Sequence, residues 1–250
     1  MKNFIVFTIL LISIPGYLFS QTNPSLFDLS TGSYSFTSWA NTSAAGTYPS
    51  NMIFQRVSGS TDPTLTTEMT TDYTAAYSLT SGARVNGLNA NGFSFVNSGS
   101  TAGYLGTAIL GLNTTGRQDI KVSFTAGTVA LGTPTSRLYK IRLQYKIGTS
   151  GTWTDVPGPI EYSPGAAGSS QVFGPTTLPA ECNNQPTLYV RWKYYFESGS
   201  GGRPELRLDE ISVTSSAQTS TQNFTTYRTE LIDGNNGFSA TSEKFNTTRA

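Results

Sequence analysis

Apolar side chains recur at every second position in the clearest patterned stretches of this chain, and that spacing limits the fold more than any other feature. In residues 137–147 one face of the predicted strand is apolar, and the opposite face carries Lys140, Arg142, Gln144 and Lys146. Residues 188–196 alternate in the same way. A period of two is that of a β-strand, whose successive side chains point to opposite faces of a sheet. Both stretches therefore predict strands with one buried face.

Shorter alternating stretches predict further strands, and clusters of Gly, Asn, Pro and Ser separate them. They are residues 120–126 and 206–213 and, more weakly, 33–39, 93–96 and 104–110. No stretch has the period of an amphipathic helix. Strands without helical crossovers pair mainly antiparallel, and they bury two apolar faces by stacking two sheets. We therefore predict an all-β fold, an antiparallel two-sheet β-sandwich of jelly-roll type.

The first 20 residues have the pattern of a secretory signal peptide. Lys2 precedes an apolar run over residues 4–14, Pro15 and Gly16 end the run, and Ser20 offers a cleavage point. The run is shorter than the roughly 20 residues that cross a bilayer. We therefore expect a mature chain that starts near Gln21, has no membrane span, and is secreted or held at the cell surface, with the periplasm as an alternative.

The remaining chain predicts one large domain, residues 21–216, followed by a polar region. All-β sandwiches of roughly 200 residues commonly form a single domain. A Ser/Thr/Gln-rich stretch at residues 215–222 has the composition of a linker. Residues 217–250 are therefore interpreted as a polar linker or tail, or as the start of an incomplete further module. Cys182 is the single cysteine, so an internal disulfide is excluded and stability must come from packing or from a bound ion.

Composition removes several function classes. The chain has no His, which excludes Ser-His-Asp and Cys-His nucleophilic sites and the usual His-rich zinc sites. Lys and Arg number 16 against 15 Asp and Glu, so we expect no nucleic-acid partner and no recruitment to an anionic membrane. Glycoside hydrolysis stays chemically open, because it needs only two facing carboxyl groups. The acidic candidates are Glu161, Glu181, Glu197, Glu205, Asp209 and Glu210.

Several short segments together carry a family resemblance. They are Phe27-Asp28-Leu29-Ser30 with residues 34–39, Gly103-Tyr104-Leu105-Gly106, residues 112–116, Leu143-Gln144-Tyr145 and residues 206–211. In this order they resemble the secreted jelly-roll modules of exported Bacteroidota proteins, which are similar in outline to galactose-binding-like and carbohydrate-binding modules. The resemblance implies a jelly-roll fold and export, and it implies no single activity. The Glu-x-Asp-x-x-Glu run common in jelly-roll glycosidases is missing, so we predict that the chain is not an enzyme.

A stripe of aromatic and basic residues on one predicted strand is the candidate ligand site. Tyr189, Arg191, Lys193 and Tyr195 share the non-core face of residues 188–196, and Lys140, Arg142 and Gln144 are expected on a neighbouring strand. Aromatic rings stack on sugars, and Arg or Gln side chains hydrogen-bond to hydroxyls, so a glycan is the predicted ligand. The alternative is an ordinary solvated face with cross-strand pairs. Trp153 is a second candidate if it is exposed, and otherwise closes the end of the core.

Asp209 lies within an apolar predicted strand, where an unpaired carboxylate is costly, so it needs a partner. The family resemblance implies that Asp209 can help to bind a structural Ca²⁺, with Glu210 and Asp28 completing its oxygen shell. The alternatives are a salt bridge to Arg207, Arg191 or Arg142, which we favour, and simple exposure.

Two functions follow from these observations. The first is a secreted, non-catalytic β-sandwich module that binds or presents a ligand, most simply a glycan, at the cell surface. The second is a structural spacer, the amino-terminal part of a larger exported protein whose activity lies downstream. A groove lined by exposed aromatic residues favours the first function, and a flat hydrated face favours the second.

Overall fold

The computed structural model describes residues 22–59, 61–99 and 103–219. The predicted signal peptide, residues 1–20, lies outside the described residues, as does most of the region predicted as a linker or tail, residues 217–250. Within the described ranges, no helix is long and apolar enough to span a membrane.

The described residues form fourteen strands and one short 3₁₀ helix. The strands are β1 (Leu26–Asp28), β2 (Tyr34–Phe36), β3 (Met52–Arg56), β4 (Thr71–Asp72), β5 (Ala83–Gly87), β6 (Phe93–Asn97), β7 (Leu105–Asn113), β8 (Arg117–Ala130), β9 (Leu138–Ile147), β10 (Thr154–Asp155), β11 (Glu161–Tyr162), β12 (Ser170–Thr177), β13 (Leu188–Ser198) and β14 (Glu205–Ala217). The helix, η1, spans Ala180–Cys182.

The strands form two sheets packed face to face, as the apolar alternation predicts. Sheet A has the order β10-β9-β13-β7-β3-β4, with β11 also beside β9 and β1 beside β7. Sheet B has the order β12-β8-β14-β6-β5, with β2 also beside β14. Among these strand pairs, β1 with β7 is parallel and the others are antiparallel.

The strand order confirms the predicted jelly roll. Strands β6 to β9 pass alternately between sheet B and sheet A, and β12 to β14 alternate again on the way back. On that return β13 lies between β9 and β7, and β14 lies between β8 and β6. This nesting of late strands between early ones is the double-sheet arrangement of a jelly roll.

The core lies between the sheets and contains the residues that the alternation predicts. Leu188, Val190, Trp192 and Tyr194 of β13 are each 0% exposed. The ring of Phe124 stacks on that of Phe173 with centroids 4.8 Å apart, and it meets the Trp192 ring edge-on at 5.7 Å. Such aromatic contacts add to the stabilisation that each ring gains from burial. Trp39, which the sequence also places in the core, is partly buried and packs against it.

The last strand is longer than the sequence predicts. β14 continues to Ala217, so residues 215–217 belong to sheet B and not to a linker. The Arg117 side chain binds this end of the strand, with Nη2 donating to the Ser215 carbonyl at 2.8 Å and Nε donating to Ser215 Oγ at 3.0 Å. Side-chain and backbone hydrogen bonds thus extend the strand beyond its apolar residues, where periodicity gives no signal.

Candidate functional site

The outer face of sheet A carries the predicted aromatic and basic stripe. Cross-strand register places Tyr189 of β13 beside Lys146 of β9 and Arg191 beside Gln144. Lys193 and Tyr195 follow beside Arg142 and Lys140. The prediction that Lys140, Arg142 and Gln144 lie on a strand next to the stripe is therefore confirmed.

The stripe is buried, whereas both interpretations from the sequence assumed that this face is open to solvent. Tyr189 is 3% exposed, Arg191 2%, Lys193 0% and Tyr195 3%. An irregular segment between β3 and β4, residues 62–69, contacts Arg191 and Lys193, and we call it the strap. Tyr189 packs instead against Trp153, and Tyr195 is bonded to Glu161. Alternation identifies side chains that share a face, but it does not reveal which distant segments contact them.

Contacts along β13 hold the strap in place. The backbone N–H of Phe196 donates to the Pro63 carbonyl at 2.7 Å. Further along the strand, Lys193 Nζ donates to the Thr67 carbonyl. Gly106 of β7 has no side chain where Met69 packs, and a Cβ at this position would collide with the Met69 sulfur. The strap therefore lies against the sheet by hydrogen bonds and close packing.

One carboxylate fastens the beginning of the strap. Asp62 accepts hydrogen bonds from Arg203, with Nη2 to Oδ2 at 2.9 Å, and from Arg137 and the Tyr139 hydroxyl. Burial alone would raise the pKa of Asp62, but the hydrogen bonds from Arg203 and Tyr139 outweigh it and lower the pKa. The carboxylate is therefore ionised at neutral pH and binds the strap to the start of β9 and to the loop that precedes β14.

A second charged network occupies the stripe. Glu161 accepts a hydrogen bond from the Tyr195 hydroxyl at 2.6 Å and pairs with Lys140 at 3.1 Å and with Arg142. Arg142 also binds Asp155, with Nη1 to Oδ2 at 2.6 Å. Tyr195, predicted as a ligand-binding residue, is thus buried and bonded within the protein.

The other end of the stripe borders an open cleft of about 520 Å³. Its lining includes Trp153, Arg191, Glu68, Gln144, Asp155 and Leu65. Trp153 is partly exposed and packs against the small apolar cluster that contains Tyr189. The cleft therefore brings together Trp153 and Arg191, two of the predicted ligand residues, and Trp153 packs against a third, Tyr189.

Polar contacts hold the floor of this cleft. Arg191 Nε donates to Gln144 Oε1 at 2.8 Å, and Gln144 Nε2 donates to Asp155 Oδ1, also at 2.8 Å. The guanidinium carbon of Arg191 lies 4.2 Å from the centroid of the Trp153 ring, the geometry of a cation–π contact. Each side chain of the floor is thus oriented by a neighbour from another strand or loop.

Glu68 and Asp155 are cleft residues that the sequence analysis did not single out. Glu68 is an isolated acid in a Thr-rich segment, and Asp155 belongs to a strand of two residues, so neither has a periodic signal. The one indication was the position of Asp155 two residues after Trp153, itself a candidate.

The three residues proposed for Ca²⁺ do not form a calcium site. Asp209 lies on β14 of sheet B, whereas Asp28 lies on β1 of sheet A. Asp209 Oδ2 is 3.2 Å from Arg207 Nη1, and Oδ1 accepts the Glu210 backbone N–H at 2.8 Å. The favoured alternative, a salt bridge to Arg207, is confirmed. Across the described ranges, no three His, Cys, Asp or Glu side chains are grouped so as to hold a metal ion.

Comparisons of the chain with models of protein families and with curated proteins gave no match. The resemblance to secreted jelly-roll modules therefore stays a prediction from the sequence segments.

Proposed function

We propose that this chain is a secreted, non-catalytic β-sandwich module that binds a glycan in the Trp153 cleft. The observation that carries the proposal is the partly exposed Trp153 ring beside hydrogen-bonding groups of Arg191, Glu68 and Asp155. Sugars present apolar C–H faces edged by hydroxyls, so an aromatic ring among polar side chains suits them. A volume of about 520 Å³ lies in the usual range for small-ligand sites.

The carboxylates next to the cleft support a non-catalytic role. Glycosidases need one carboxyl group with a raised pKa, which stays protonated as the general acid. Burial favours that state for Glu161, but hydrogen bonds from Tyr195, Lys140 and Arg142 outweigh burial and lower its pKa. Asp155 is bound by Arg142 and Gln144. Both groups act as counter-ions within the protein.

The direct test replaces Trp153 in the mature chain. We expect the wild type to bind at least one polysaccharide on a glycan array, and Trp153→Ala to weaken that affinity about tenfold, because the aromatic contact is lost. Trp153→Phe, which keeps a ring, should retain most of the affinity in calorimetric titrations. Val172→Ala is the matched control, because Val172 is 74% exposed on β12 of the other sheet. Unchanged binding by Trp153→Ala would contradict the assignment of this cleft.

The structural spacer remains the second candidate, and the burial of the stripe favours it. Tyr189 and Tyr195 are each 3% exposed, so neither ring is available for a ligand to stack on. A spacer needs a stable sandwich and no ligand site. Failure of the wild type to bind any glycan at millimolar concentrations would select this function.

A further inference from the structure

Three cations lie together on the outer face of sheet A, close to the cleft. Lys146 comes from β9, and Arg191 and Lys193 come from β13. Lys146 Nζ lies 4.9 Å from the centroid of the Trp153 ring, and the Arg191 guanidinium carbon lies 4.2 Å from the same centroid. Both cations therefore approach the aromatic residue on which the proposed function rests.

The residues that line the cleft include one cation, Arg191, and two carboxylates, Glu68 and Asp155. Arg191 pairs with Glu68, whereas Asp155 is bound by Arg142 and Gln144. Burial lowers the pKa of Arg191 to about 10, with Glu68 opposing the shift. Burial and repulsion from Arg191 also lower the pKa of Lys146. Because Asp155 is engaged by Arg142 and Gln144, Glu68 is the carboxylate of the cleft that pairs with Arg191.

The contact between Arg191 and Glu68 is weak for an ion pair. Arg191 Nη1 lies 3.6 Å from Glu68 Oε2, beyond hydrogen-bond distance, and the Glu68 side chain is 63% exposed. A pair of this length in which one partner is largely exposed contributes little to stability. Glu68 belongs to the irregular strap, so it is not held in the backbone hydrogen-bond ladder of a sheet. Its carboxylate can therefore give way to a better-placed one at modest cost.

Arg191 is oriented to receive such a group. Its Nε is bonded to Gln144, which fixes the plane of the guanidinium and leaves the Nη1 edge directed toward Glu68. A guanidinium recognises a carboxylate best through two parallel N–H donors. The side chain is 2% exposed, so an ion pair formed there would be shielded from screening by salt.

Resting on the proposed function, we propose that the cleft selects acidic saccharides, with the carboxylate of a uronic acid replacing Glu68 on Arg191 while its ring contacts Trp153. In the free protein Glu68 occupies the place of the ligand's carboxylate. The same arrangement accounts for a buried guanidinium, an aromatic wall and an exposed acid that lies 3.6 Å from the guanidinium in one cleft.

The test compares two ligands that differ in charge. Oligogalacturonate and its methyl ester share a backbone, but the ester lacks the carboxylates. We expect the mature wild-type chain to bind the acid at least tenfold more tightly in calorimetric titrations. Glu68→Gln removes the competing carboxylate, so it should raise affinity for the acid about threefold to tenfold and leave affinity for the ester unchanged. Glu197→Gln, on β13 and paired with Lys140, is the control for removing a negative charge.

The outcomes separate the two proposals. Equal affinity for acid and ester, or weaker binding of the acid by Glu68→Gln, overturns the acidic selectivity and leaves glycan binding in place. Binding of neutral glycans alone has the same meaning. Absence of binding to any glycan overturns the proposed function itself. Thermal unfolding of each variant shows that a change in affinity does not come from loss of fold.

Discussion

Lys193 shows how much the strap changes the chemistry of one side chain. It is 0% exposed, and its ammonium donates to the Thr67 carbonyl. Burial lowers its pKa to about 7, repulsion from Arg191 adds to the shift, and Glu68 opposes it. In the unfolded chain a lysine has a pKa of about 10.4. Between these two values the unfolded state binds more protons, so the free energy of unfolding rises with pH in that window.

Lys193→Met removes this ionisation and keeps a side chain of similar length. Below pH 7 the wild type carries a buried charge. The stability of the variant relative to the wild type should therefore be highest in that range. Its relative stability should fall as the pH rises from 7 toward 10, because the wild type gains stability in that window and the variant does not. Urea unfolding at pH 6, 8 and 9.5 measures the difference. Lys121→Met, at an exposed position of β8, is the control, and a difference that is constant with pH would contradict the lowered pKa.

Among the elements, the strap is the one that the sequence left undefined. Residues 62–69 have neither the period of a strand nor that of a helix, and they lie in the structure as an irregular segment. The strap is held through backbone carbonyls of Pro63 and Thr67, which any residue type supplies. Its side-chain anchors include the Asp62 carboxylate and the buried Met69. A loop with this composition is predicted from sequence as a loop, and its path over the sheet is not.

Asp62→Ala should release the strap. The substitution leaves Arg137 and Arg203 without their shared carboxylate, so we expect a loss of about 2 kcal/mol of stability, less than for a fully buried pair. Amide hydrogen exchange in residues 63–69 should be faster in the variant than in the wild type, while exchange in the core strands stays the same. Because the pKa of Asp62 is lowered, the wild-type contribution is present at neutral pH and is lost as the pH falls through it.

The control for the strap experiment is Glu197→Ala, which removes a 40% exposed partner of Lys140. An exposed pair of this kind contributes about 0 to 1 kcal/mol. Unchanged hydrogen exchange in residues 63–69 of Asp62→Ala would show that the backbone contacts hold the strap without the carboxylate.

For the whole molecule, stability comes from the continuous core between the sheets. The single cysteine excludes an internal disulfide. The described residues show no metal site that could replace one. Trp192, Phe124 and Tyr194 instead fill the space between the sheets, and each is at most 1% exposed. A sandwich of this size can bury enough apolar surface to fold without covalent links.

Cys182 can report on the integrity of this core. It is 0% exposed in η1, and burial raises the pKa of its thiol to about 12. We expect a thiol reagent to label it only as fast as the domain opens, and a reductant to leave the melting temperature unchanged. Labelling rates with and without urea, beside thermal scans with and without dithiothreitol, measure both. Rapid labelling of the native protein would contradict the buried position.

The two-residue period correctly predicted which side chains share one face of a strand. The alternation at residues 188–196 correctly assigned Trp192 to the core, and the matching pattern at 137–147 provided its neighbour in sheet A. The same alternation grouped Tyr189 with Tyr195 on one face. It failed on their exposure, because Trp153 packs against Tyr189 and Glu161 bonds to Tyr195, and neither partner belongs to that strand. Strands of two residues, such as β10 and β11, are too short to show any period.

The sequence by itself determined seven of the fourteen described strands, the faces that their side chains share and the two-layer β architecture, because each follows from the two-residue period of an extended backbone. Only the tertiary structure decided that the strap contacts Lys193, that Glu161 neutralises Arg142, and that Glu68 meets Arg191 beside Trp153. These contacts join residues that no local pattern connects. They depend on the path of a loop, and that path is set by hydrogen bonds and ion pairs that form once the sheets have assembled.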